Sequence, residues 1–178
     1  MAITIKQVRE AFQLLYESIH DREFRKTLDL NNWSEKEVLP LVRTFLLGYF
    51  GHCYPEVSVR LQSSVSGWGR VDFQIGGVAV EFAVRRPGDR KGPISSKVNT
   101  TEMIKLMMYQ GAGLLVLFDF SANPFGEEDI ERFRDYPSLG RGNFRRTAFN
   151  VAYYYVESAR RRDYRCISRN IRVRNGAA

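Results

Sequence analysis

Apolar residues recur at helical spacing from Ile5 to about Leu30, at Val8, Phe12, Leu15 and Ile19, with charged residues between them. The pattern predicts one or two helices, ended by the break at Asn31-Asn32. Ser34-x-x-Glu37 then reads as a capping box, in which each residue satisfies an unpaired N–H of the other. It opens a second helix through Val38, Leu41, Val42, Phe45, Leu46 and Tyr49, and Gly48 and Gly51 mark its end.

The period then changes from 3.6 to 2. Val57, Val59 and Leu61 alternate with Ser58, Arg60 and Gln62, which predicts a half-buried strand. Two further alternating runs, from Arg70 to Ile75 and from Val78 to Arg85, flank Gly76-Gly77. A Gly-Gly pair there predicts a tight hairpin of type I′, with positive φ at both turn positions. Residues from Arg86 to Val98 lack periodicity and read as a loop. Asn99-x-x-Glu102 resembles a second capping box, opening a helix through Ile104, Met107 and Met108 to Gly111. The continuous apolar run Leu114–Phe120 predicts a buried strand, residues 127–133 a short helix, and Phe149–Glu157 and Arg165–Val173 two last strands. The order is α-α-β-β-β-α-β-(α)-β-β, with no internal repeat and no linker, so residues 1–178 are expected to form one domain.

Length and composition agree. The 178 residues are 44% hydrophobic and 26% charged, as folded domains are, which excludes disordered and collagen-like classes. Cys53 and Cys166 belong to no CxxC or Cys/His cluster; they read as two free thiols or a single disulfide, and a structural zinc site is not expected. The N-terminal stretch is amphipathic with no signal-peptide core, and no apolar run reaches about 18 residues, so a cytoplasmic protein without a membrane partner is expected.

Charge changes the picture by its position. The formal net charge is +7, from 27 basic and 20 acidic residues. The segment 141–174 carries ten Arg, no Lys and two acids, so the whole positive excess belongs there. A guanidinium is the better fork for phosphate, and a basic stripe is the electrostatic footprint of a nucleic-acid partner, or simply a solvated surface.

Counting outward from Gly76-Gly77 pairs Ile75 with Val78, Gln74 with Ala79, Phe73 with Val80, Asp72 with Glu81 and Arg70 with Ala83. One hairpin face is then wholly apolar (Val71, Phe73, Ile75, Val78, Val80, Phe82, Val84). The other carries Arg70, Asp72, Gln74, Glu81 and Arg85. Two carboxylates opposite each other destabilise a sheet, so a cation between them, the flanking arginines or a raised pKa must compensate. Adjacent carboxylates also form the hard oxygen cradle that Mg²⁺ prefers.

The string Gly69-Arg70-Val71-Asp72-Phe73, a Gly turn and then Val80-Glu81-Phe82-Ala83 resembles the bipartite motif of the PD-(D/E)XK, or restriction-endonuclease-like, nuclease superfamily. The resemblance covers about residues 34–120 and implies an α/β fold. Its αβββαβ core would hold a central mixed sheet, with N-terminal helices and extra C-terminal strands added. It implies that Asp72 and Glu81 bind Mg²⁺ or Mn²⁺ with the carbonyl of Phe82, and that Glu37 can supply a further acid, a role that competes with its capping box. The family's lysine position falls on Ala83, which cannot replace it. Lys105 from the following helix, Arg70 across the strand pair and Arg85 on the same face are the available substitutes, and Arg is a poor general base because it stays protonated. The expected function is metal-dependent hydrolysis of phosphodiester bonds in nucleic acid, DNA in the first instance. The alternative is a nuclease-like module that has lost catalysis and binds nucleic acid or protein. Arg85, Arg86, Arg145, Arg146, Arg160, Arg161, Arg162 and Arg165 are the expected phosphate contacts. A homodimer is the expected assembly if two strands are cut. His20 and His52 have no partners at catalytic spacing and are expected to be incidental.

Overall fold

The computed structural model describes residues 2–30, 32–60, 68–90, 92–135, 147–158 and 163–173. Three helices come first: α1 (Ile5–Ile19), the single turn α2 (Arg22–Arg25) and α3 (Glu35–Phe50). Strands β1 (Tyr54–Arg60), β2 (Trp68–Ile75) and β3 (Val78–Arg85) follow, then α4 (Thr100–Met108) and β4 (Ala112–Asp119). The short α5 (Glu127–Glu131), β5 (Phe149–Ser158) and β6 (Asp163–Ile171) complete the order. All six strands form one mixed sheet in chain order. β1, β2 and β3 run antiparallel, β3–β4 and β4–β5 are parallel pairs bridged by α4 and α5, and β6 returns antiparallel to β5.

The sheet separates two cores. On one face α1 and α3 bury Phe12, Leu15, Tyr16, Val38, Val42 and Leu46 against Phe73, Val80, Phe82, Val116, Phe118 and Tyr154. On the other, α4 and α5 bury Met103, Leu106, Met107 and Ile130 against Ala79, Ala83, Leu115, Leu117, Val151 and Tyr153. Consecutive strand residues point to opposite faces, so Tyr153 and Tyr154 serve different cores. Because β3 and β4 are covered on both sides, they read as near-continuous apolar runs.

The hairpin register counted from the sequence holds for Ile75↔Val78, Gln74↔Ala79 and Phe73↔Val80. There the ladder between β2 and β3 stops, and the N–H of Phe82 is donated instead to Asp72 Oδ2 at 2.8 Å. The neighbouring Glu56 of β1 has φ of 52°, in the left-handed region that non-glycine residues rarely visit. Beyond this irregularity Val71 packs with the α4 core, whereas Phe73 and Ile75 pack with the α1 core. The wholly apolar hairpin face expected from alternation therefore breaks at Asp72.

The turn departs from type I′ as well. Gly76 has φ of 57°, but Gly77 is not in the left-handed region. A Cβ on Gly76 would also lie 3.2 Å from Ile3 Cβ. Gly76→Ala is thus expected to cost ~1–2 kcal/mol, read as a lower urea midpoint with unchanged slope, whereas Gly77→Ala costs less. Cys53 and Cys166 are free thiols. Among the described residues no helix is long and apolar enough to cross a membrane.

Candidate active site

The carboxylate pair lies where β2 and β3 part. Glu81, at the middle of β3, is fully buried, and its side chain is on the α4 side of the sheet between Ala79 and Ala83. Asp72 is half-buried, and its carboxylate takes the place of a backbone acceptor by receiving the Phe82 N–H. The Phe82 ring is buried in the α1 core, so what Phe82 offers this site is its main chain.

Lys105 reaches the pair from α4. Its Nζ lies 2.7 Å from Glu81 Oε1 and donates to the Arg70 carbonyl at 3.0 Å. Both Glu81 oxygens are buried, with Lys105 on one side and the Asp72 carboxyl on the other. Of Lys105, Arg70 and Arg85, it is Lys105 that meets the acid. The guanidinium of Arg70 is exposed, and Arg70 contributes its carbonyl. Ala83 is buried in the α4 core.

A small cavity of about 170 Å³ opens on the pair and is also lined by Glu35, Glu102 and Lys105. Four carboxyls therefore face one ammonium. Burial, then the charge of Asp72, pushes Glu81 up to about 9 against the opposing pull of Lys105. Glu35 is pushed up to about 7 by burial and by the charges of Asp72 and Glu102. Burial also raises Asp72, while the Phe82 N–H and Lys105 act in the other direction.

Glu35 and Glu102 are site residues that the sequence reading passed over. Glu37 is exposed, and its carboxylate accepts the N–H of Ser34, as the capping box requires. That bond holds its carboxyl below the usual range. The signal for Glu35 was the helical wheel, since it lies three and seven residues before the buried Val38 and Val42 and so shares their face. Glu102 and Lys105 are likewise three apart on α4. Asn99 does not cap α4 with its side chain; its amide donates to the carbonyls of Pro93 and Ser95 and leaves Glu102 to line the cavity.

The arginines divide. Arg85 is 1% exposed, so it is not placed to contact phosphate. It stands opposite Asp119 in the β3–β4 register with Nε 3.0 Å from Oδ1, donates from Nη2 to the Asn123 carbonyl and lies over the Phe125 ring. Arg86 grips Asp89 through two nitrogens. Arg165 meets Glu157 and Asp163 on the exposed side of the last hairpin. Arg145, Arg146, Arg160, Arg161 and Arg162 lie outside the described residues.

No protein-family model, no curated protein and no solved structure matches this chain. The class its own geometry defines is a mixed α/β protein with a six-stranded mixed sheet and an acid pair, Glu81 buried and Asp72 half-buried, met by a lysine.

Among the described residues no group of three or more His, Cys, Asp and Glu is gathered closely enough to hold a metal ion. The donor chemistry nevertheless suits a hard divalent cation, since the carboxyls of Asp72 and Glu81 and the main chain of Phe82 line one cavity. With Glu81 raised to about 9 and hydrogen-bonded to Asp72, the pair holds a proton that a cation would replace. Asp72, Glu81 and the carbonyl of Phe82 are the residues that would hold it.

Proposed function

We propose that this chain is a metal-dependent nuclease with a restriction-endonuclease-like core, hydrolysing phosphodiester bonds in nucleic acid, with DNA the first substrate to test. The observation that carries the reading is the approach of Lys105 Nζ to 2.7 Å from Glu81, beside Asp72. A lysine thereby serves the acid pair although the motif position is Ala83. The order αβββαβ from α3 to β4 supports the same reading.

When bound at Asp72 and Glu81, Mg²⁺ or Mn²⁺ supplies positive charge to a phosphodiester oxygen and acidity to a water molecule. The protein's own residues do the rest. Asp72 is held in place by the Phe82 N–H. Lys105, anchored on the Arg70 carbonyl, presents an ammonium that stabilises charge developing on the phosphate. Glu35, pushed up to about 7, can take up a proton near neutral pH.

The test incubates the purified chain with single- and double-stranded DNA, RNA and branched DNA in Mg²⁺ or Mn²⁺, with and without chelator. Lys105→Ala is expected to lower the cleavage rate by on the order of 10²-fold or more, and Arg70→Ala by less than about threefold, because Arg70 acts through its main chain. Equal losses in the two variants would contradict the assignment of Lys105. Binding without cleavage in every condition would favour the inactive, nucleic-acid-binding module that Ala83 suggests.

A further inference from the structure

On the sheet face opposite Lys105, a second cavity of about 420 Å³ opens beside the C-terminal end of β4, in the size range of roughly 300–1,000 Å³ typical of small-ligand sites. Its walls include the rings of His20, Phe120 and Tyr164, with Ser121 and Arg25 also lining it. His20, Phe120 and Tyr164 are each half-buried and pack around Tyr16, with ring centroids 4.6 Å from Tyr16 to His20, 5.5 Å to Phe120 and 6.5 Å to Tyr164. One side of this aromatic group is thus core, and the other bounds the cavity.

Polar groups converge on the same space. His20 Nδ1 lies 2.8 Å from the Tyr16 carbonyl. A carbonyl only accepts, so Nδ1 carries the proton, and Nε2 of the neutral ring is left as an acceptor. Burial pushes the His20 pKa down, which keeps that ring neutral. The Ser121 hydroxyl accepts the Asn123 N–H and keeps its own O–H to donate. Arg25 is exposed and ion-paired with no acid among the described residues. The acid on this wall, Glu157, is already paired with Arg165.

Flat rings that accept stacking, one donor and one acceptor for ring edges, and an uncommitted guanidinium for an anion are together the recognition chemistry of a nucleotide. We infer that this cavity is a nucleotide-binding site, taking a nucleobase against His20, Phe120 and Tyr164 and its phosphate on Arg25. It stands across the sheet from Glu81, so the nucleotide it holds is not the one whose bond would be cut. The inference does not depend on the cleavage reading.

The experiment is a titration of the full chain, without divalent metal, followed through the histidine ring signals in a ¹H–¹³C spectrum. The chain has only His20 and His52, so His52 serves as an internal reference. The probes are the four ribonucleoside 5′-monophosphates, the matching nucleosides and oligonucleotides of increasing length. A saturable shift of His20 with at least one monophosphate, without a matching shift of His52, is expected. Arg25→Gln should weaken that monophosphate by about tenfold and its nucleoside by less than about twofold, because the guanidinium serves the phosphate alone. Tyr164→Leu should weaken both. Affinity that does not grow with oligonucleotide length identifies a free nucleotide as the ligand, and affinity that grows with length identifies a strand. No shift of His20 up to about 10 mM of any probe, equal shifts of both histidines, or no effect of Arg25→Gln would each overturn the inference.

Discussion

Glu81→Gln is expected to reduce divalent-cation-dependent cleavage by on the order of 10³-fold while making the protein more stable at alkaline pH. The two effects have one cause. Glu81 is fully buried beside Asp72, and its carboxyl is pushed up to about 9. A carboxyl raised in this way contributes stability that is fully present below its unfolded value, about 4.3, and is lost as pH rises through about 9. Wild-type stability should therefore fall across that window, because the folded state binds the extra proton. Glu35, pushed up to about 7, adds to the fall between about 4.3 and 7. In the Gln variant the Glu81 part of this fall disappears, so at pH 8 the variant should be more stable than wild type in urea unfolding. A cation that binds Glu81 must displace its proton, so metal affinity should rise with pH between about 7 and 9. Stability that rises toward pH 9, or metal affinity that falls, would contradict the account of this site.

Asp119→Ala is the second large effect, and it concerns the fold. Asp119 and Arg85 are both about 1% exposed and face each other across β3 and β4. Asp119 Oδ2 also accepts the Tyr153 hydroxyl at 2.6 Å, and Oδ1 the N–H of Ser121 at 2.9 Å. Removing the carboxylate leaves a buried guanidinium whose Nη1 already has no hydrogen-bond partner. The expected cost is about 3–5 kcal/mol, seen as a lower urea midpoint. Replacing the pair together, as Arg85→Met with Asp119→Leu, should recover much of that loss, because no unpaired charge then remains buried. A single variant as stable as wild type would show that Asp119 does not hold Arg85.

The strand pairing was legible because period-2 alternation and a Gly-Gly turn leave one register that keeps the faces apart. It placed Phe73 opposite Val80 and put Asp72 next to Glu81. What alternation could not show is the end of the ladder at Asp72, since that depends on a side chain replacing a backbone acceptor. Lys105 was legible from chemistry and chain order. The family resemblance points to Glu37, but its capping box with Ser34 holds it at the surface, and helical phase relative to Val38 puts Glu35 at the cavity instead. Alternation places Arg85 on the face of Glu81, but its cover by Phe125 and the Asn123 carbonyl is a tertiary fact with no local signal. His20, unremarkable in sequence, gains its setting only when α1 brings it against Phe120, just past β4, and Tyr164 of β6.

The proposed cation at Asp72 and Glu81 should be visible by anomalous diffraction from crystals soaked in Mn²⁺ near pH 8.5. A single strong peak within about 2.0–2.4 Å of carboxylate oxygens of both Asp72 and Glu81, with Lys105 moved off Oε1, is the predicted result. Density unchanged at the pair, with Lys105 still on Glu81 at saturating Mn²⁺, would contradict it.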